Sequence, residues 1–211
     1  MIGIKRLRFR SAQPRVAQPS PFEKIDLATQ SWHIGAASGR GSPLHSLGGT
    51  SMAFQCSTCG KTHDGLPDVA FRWPDPYFAV PETERKARVS GDTDSCVIDG
   101  DAFYIRGVIL IPIKETSDHF GLGVWVSQKR ENFITYMENY DTADIGPFFG
   151  WLSNSISFYE VDTWAIKTMA HFQGKNQRPL IEPESSDHPL YIDYSRGISL
   201  ERAWDIAHGK R

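Results

Sequence analysis

Two long apolar runs constrain this chain more than any other feature. Phe103–Ile113 reads FYIRGVILIPI and Phe120–Val126 reads FGLGVWV, both rich in β-branched and aromatic residues. Such runs form strands buried among neighbours. Only six residues, Lys114–His119, separate them. A parallel pair needs a crossover of a dozen residues or more, so these two strands must run antiparallel. A hairpin of this length cannot stay in water alone, and the rest of the chain must cover it.

Cover is available from both kinds of periodicity. Trp164–Phe172 alternates, with Trp164, Ile166, Thr168, Ala170 and Phe172 on one side and Lys167 and His171 on the other. That is the pattern of a half-buried strand. Leu180–Glu184 and Tyr191–Tyr194 read as short strands bounded by Pro179, Pro183 and Pro189. Helical spacing occurs over Glu131–Tyr140, where Phe133, Met137 and Tyr140 share a face and Ser127 suits the N-cap. A C-terminal helix starts at the cap Ser199, carries the stripe Leu200, Ala203, Trp204 and Ala207, and stops at Gly209. Pro81–Val89 fits a third, polar helix with Glu82 and Glu84 in its first turn. The expectation is an α+β fold: an antiparallel-rich sheet, covered on one side by two or three helices, with a Cys-rich, zinc-knuckle-like N-terminal turn.

Residues 1–51 differ from the rest. They hold seven Lys/Arg against two acids, a balance of +5, and lack either periodicity. Residues 52–211 carry 16 basic and 23 acidic groups, a balance of −7. We therefore expect a disordered or non-native N-terminal tail over 1–51 and a single α+β domain over 52–211. The acidic balance disfavours a phosphate backbone as partner, so nucleic acid is not expected for residues 52–211, whereas a protein partner is compatible. No apolar run reaches 18 residues, which excludes a spanning helix. Three cysteines make no closed disulfide set, and the expected location is the cytoplasm.

The chemistry-bearing stretch is Cys56-Ser-Thr-Cys59-Gly60-Lys-Thr-His63. Two thiols three positions apart with a glycine behind them can aim at one cation, and zinc suits such a tetrahedral, sulfur-rich site. With Cys96, Cys56, Cys59 and His63 complete a Cys₃His set that would hold a structural Zn2+. His119, Asp94 or a water are alternatives to His63, and a water would leave an open, catalytic position. A redox role is less suited, because the pair does not open a helix after a strand. The P-loop, His-Glu-x-x-His and Gly-x-Ser-x-Gly patterns are absent.

Three further residues mark a possible ligand or partner surface. Arg106 interrupts the long strand and needs either a paired acid or an open face. Trp125 and Trp151 belong to a concentration of aromatics about the sheet, where Phe148-Phe149-Gly150-Trp151 reads as core unless exposed. The acidic run Asp92, Asp94, Asp99 and Asp101 reads as a solvated turn.

The order of the motifs carries a resemblance. CxxCG with His63, Asp94-x-Cys96-x-Ile98, Phe103-x-Ile105-Arg106-Gly107, Gly123-Val124-Trp125-Val126-Ser127, Phe149-Gly150-Trp151-Leu152-Ser153-Asn154, Arg178-Pro179-Leu180, Asp187-His188-Pro189-Leu190 and Gly197-Ile198-Ser199 follow one another. Together they resemble a bacterial family known only as domain of unknown function 2199, over residues 53–208. The resemblance implies a domain starting near Met52 and implies no activity. Taken with the thiols, the expected function is a zinc-binding α+β interaction module. The alternatives are a metal-dependent enzyme with an open zinc position and a small acidic inhibitor or immunity-type protein.

Overall fold

The computed structural model describes residues 54–55, 62–63, 66–143, 145–175 and 177–209. In chain order the elements are β1 Phe54–Gln55, β2 Thr62–His63, β3 Val69–Ala70, α1 Asp75–Ala79, α2 Glu82–Arg88, β4 Val89–Gly91, β5 Ser95–Ile98, β6 Ala102–Pro112, β7 His119–Gln128, α3 Arg130–Glu138, β8 Phe148–Trp151, β9 Lys167–His171, β10 Leu180–Pro183, α4 Pro189–Arg196 and α5 Leu200–Ala207. The expected tail over 1–51 lies outside the described residues.

The β6–β7 hairpin is the spine. Its antiparallel register runs unbroken from Phe103↔Gln128 to Pro112↔His119. The odd residues Ile105, Ile109 and Ile111 join Phe120, Leu122, Val124 and Val126 in one core, all fully buried. The even residue Tyr104 and Trp125 face a second, smaller core with Val80, Cys96 and Ile98. Apolar material therefore lies on both faces of the hairpin. The expected cover on one side is corrected by β7, whose Phe120–Val126 is buried residue after residue, as its continuous apolar run requires.

The outer edge of β6 has two partners. Its first half pairs antiparallel with β5, from Ile98↔Ala102 to Ser95↔Ile105. Its second half pairs parallel with β10 at Leu180↔Val108. From β10 the sheet continues antiparallel through β9 to β8. The chain leaving β8 then returns to β7, with a bridge at Val126↔Leu152 and the Ser153 N–H donating to the Trp125 carbonyl at 2.8 Å. Hydrogen bonding thus circles β7–β6–β10–β9–β8–β7. The sheet curls into a barrel-like wall whose inside is the larger core.

The antiparallel-rich α+β character agrees with the sequence reading, with five helices among the described residues. The expected strand at Tyr191–Tyr194 is instead inside α4. Pro189 opens that helix with its fixed φ, and His188 Nδ1 accepts the Leu190 N–H at 3.0 Å. Helix α3 has Lys129 at its N-cap position without a side-chain capping bond, and Ser127 is still in β7. The alternation over 164–172 yields a shorter strand, since Ala165 turns the chain with φ 60° and leaves Trp164 outside it. Helix α5 follows its sequence signals, with Ser199 Oγ accepting the Arg202 N–H at 3.1 Å.

Candidate functional site

The β8 strand builds an exposed aromatic surface. Its register against β9 pairs Phe149 with Met169 and Trp151 with Lys167. The period of two sends Phe149 and Trp151 outward, 39% and 41% exposed, while Gly150 is buried. Their rings meet edge to face at 5.1 Å. Gly150 has no freedom to be larger: a Cβ there would collide with the Ser127 carbonyl oxygen and reach Gln128 Nε2 at 2.7 Å. Trp164, 44% exposed, stands beside Trp151 across a groove of about 370 Å³ floored by Tyr104, Ser127, Leu152 and Ser153. A second groove of about 280 Å³ runs from Phe149 over Met169 to Tyr191. Its rim carries Lys167 paired with Glu184 at 3.3 Å, and Glu182, which meets His171 beyond the groove at 2.7 Å.

Behind this strip, Asn154 ties the aromatic layers together. It is fully buried; its Oδ1 accepts the Trp125 N–H at 2.8 Å, and its Nδ2 donates to the Trp73 carbonyl at 3.0 Å and Asp75 at 3.1 Å. Trp125 is also fully buried, stacked on Trp73 at 6.0 Å and donating through Nε1 to the Phe71 carbonyl. Trp125 therefore supports the strip from within and offers no surface to a ligand. Of the expected surface residues, Trp151 alone is exposed.

Arg106 sits where the outer neighbour of β6 changes from β5 to β10. It is 7% exposed and pairs across the hairpin with Trp125. Its backbone N–H donates to the Asp94 carbonyl, and the Asp94 carboxylate is gripped by Arg178 Nε. Burial and the neighbouring Arg178 pull the Arg106 pKa down to about 10, partly offset by Asp94, so it remains a cation at pH 7. Asp94, named as a possible metal ligand, is thus committed to an arginine. The acidic run resolves into turn chemistry: Asp92 Oδ1 accepts the N–H groups of Asp94 and Ser95 at 2.8 Å, and Asp99 is clasped by Arg88. Burial works against the Asp92 carboxylate, yet those donors outweigh it and hold its pKa below the usual range.

The thiol set lies mostly outside the described residues. Cys56 and Cys59 lie outside the described residues, and His63 ends β2. Antiparallel pairing of Phe54 with His63 and Gln55 with Thr62 makes β1 and β2 the two sides of a hairpin whose connection contains both cysteines. Cys96 is fully buried in β5 among Val80, Ile98, Tyr104 and Trp125, and burial pushes its thiol up to about 11. His119 is exposed at the start of β7. Among the described residues, no three His, Cys, Asp or Glu side chains gather as a metal site, and no helix is long and apolar enough to cross a membrane. The exposure of Phe149 and Trp164 was missed in the sequence, although the outward period of Phe149-Gly150-Trp151 was there to be read.

A family model described as an uncharacterized protein conserved in bacteria, DUF2199, matches residues 55–198. The chain belongs to DUF2199. No curated protein and no solved structure matches it significantly. The DUF2199 match starts at the hairpin carrying the CxxC pair and ends at Ile198, so it takes in both the closing strand β8 and Arg106.

Proposed function

We propose that this DUF2199 protein is a zinc-stabilised α+β binding module whose working surface is the strip Phe149, Trp151 and Trp164. The observation that carries this reading is the exposure of three large aromatic rings beside two grooves. Aromatic side chains left in water at the edge of two grooves are suited to burial against a partner, where tryptophan is enriched among the residues that dominate binding energy. Zinc belongs to the N-terminal hairpin. Cys56 and Cys59 supply two thiolates, His63 a nitrogen, and Cys96 the fourth ligand, closing the site and leaving the metal structural. The hairpin pairing of β1 and β2 supports the placement of the pair in one short connection.

Two measurements test the reading. Purified protein is expected to carry one zinc per chain, to lose it in C56S and C59S, and to melt lower with a strong chelator. Cobalt substitution counts thiolates through the sulfur-to-cobalt charge-transfer band. C96S is expected to weaken that band by a third; an unchanged band would assign Cys96 to the apolar core instead. A photo-crosslinking residue at position 151 or 164 is expected to give discrete adducts in the native bacterium that the same residue at exposed position 201 does not. Identical patterns from all three positions would refute the working surface.

A further inference from the structure

On the reading that the aromatic strip is the working surface, we propose that it binds an extended segment of a partner protein in which arginine alternates with apolar residues. The sheet register sets this pattern. Across β8, β9 and the end of β10 the outward residues form two rows: Trp151, Lys167 and Glu184 in one, Phe149, Met169 and Glu182 in the other. Neighbouring strands lie about 4.7–4.9 Å apart, so rings and carboxylates flank β9 at a separation of about 10 Å. Along the strands the two rows are about 7 Å apart, the two-residue repeat of any extended chain. A segment laid over β9 therefore sends every second side chain toward Phe149 and Trp151 and the others toward Glu182 and Glu184. The groove of about 280 Å³ over Met169 supplies the room.

Charge selects the partner. Segments 157–164 and 182–187 contain Glu160, Asp162, Glu182, Glu184 and Asp187 and neither Lys nor Arg. The Tyr159 and His188 rings, 6.0 Å apart, bring the two segments together, and Asp162 accepts the Trp164 N–H at 3.0 Å. Lys167 meets Glu184 as an open pair, their side chains 51% and 56% exposed. Such a pair is worth little, so an incoming cation can take the place of the lysine. Arginine suits the position better than a second lysine. Its planar fork matches a carboxylate, and its face stacks on an aromatic ring, which Tyr191 lends to the same groove. The DUF2199 match covers the strip but not residues 1–54, which assigns the occupant to another protein and not to this chain's own basic segment.

The test is a fluorescence-anisotropy titration of a labelled peptide, GRLRLRG, with the full chain, against GKLKLKG, GELELEG and spermine. GRLRLRG is expected to bind saturably, GKLKLKG several-fold more weakly and GELELEG not at all, with spermine failing to displace the arginine peptide at equal concentration. W151A and the double variant E182Q/E184Q are each expected to weaken binding by roughly tenfold. The double variant changes only exposed carboxylates and should melt as the wild type does. Raising salt from about 50 to about 300 mM should weaken the wild-type complex and leave the double variant's little changed. The photo-crosslinker at position 151 or 164 separates this pattern from the working surface itself: adducts that GRLRLRG does not compete away keep the surface and overturn the arginine pattern. No binding of GRLRLRG, equal binding of GKLKLKG, unchanged binding by E182Q/E184Q, or displacement by spermine would also overturn it. So would an adduct joining position 164 to Arg6–Arg10, where this chain itself reads Arg-Leu-Arg-Phe-Arg.

Discussion

Replacing Gly150 with alanine tests the closure of the wall directly. The added Cβ would strike the Ser127 carbonyl, a backbone atom in β7 that cannot rotate away, as well as Gln128 Nε2. Overpacking of this kind costs about 1–3 kcal/mol. Relief requires β8 to withdraw, which weakens the Ser153 N–H to Trp125 carbonyl bond (2.8 Å) and the Trp151 N–H to Ser127 Oγ bond (3.1 Å). At about 1 kcal/mol for each bond lost, and with the clash partly relieved as they go, the net loss is about 2–4 kcal/mol. Native domains hold only about 5–15 kcal/mol in total. For a domain of this size about 2–4 °C of midpoint accompanies each kcal/mol, so G150A should melt about 4–16 °C lower by calorimetry. Urea unfolding followed by tryptophan fluorescence gives the free energy independently. F149A, one residue away but outward, serves as the control and should lose less than about 1 kcal/mol. A G150A protein within about 1 kcal/mol of wild type would refute the tight contact between β8 and β7.

Two further changes probe the groups behind the strip. N154A should cost about 2–4 kcal/mol in urea melts, because it strands the buried Trp125 N–H and the Trp73 carbonyl. N154D adds a charge beside Asp75, whose own pKa burial already raises, so it should be worse at pH 7 than at pH 4. Asp68 is held above the usual carboxylate range by burial, with the Gly121 N–H pulling the other way. A raised carboxyl favours the fold while protonated, and that contribution is lost as pH rises through the folded value. D68N keeps an acceptor for the Gly121 N–H without the charge, so it should match or exceed wild-type stability at pH 7 and lose any advantage at pH 3. A variant less stable at pH 7 than at pH 3, relative to wild type, would contradict this sign.

The spine of the fold was readable because period and connection length decide it: two apolar runs with six residues between them have one way to pair. Helix α5 was readable through its cap and stop. The α4 segment was not, because a proline before a short aromatic stretch marks either a strand boundary or a helix start, and the deciding group is the His188 ring at Leu190 N–H. Gly150 hinted at close approach, but not at which strand approaches. Barrel closure joins Val126 to Leu152, and no local pattern encodes that pairing. For Arg106 the sequence posed two outcomes, a paired acid or an open face. The structure meets neither: Arg106 is 7% exposed, and Arg178, distant in the chain, takes Asp94 for itself.

The same four residues of β8 do two separable jobs. Gly150, turned inward, decides whether the wall shuts, while Phe149 and Trp151, turned outward, meet whatever arrives. Positions 149, 151 and 164 can therefore be randomised together as a library for altered recognition, with every member inheriting an intact scaffold so long as the glycine between the first two is kept.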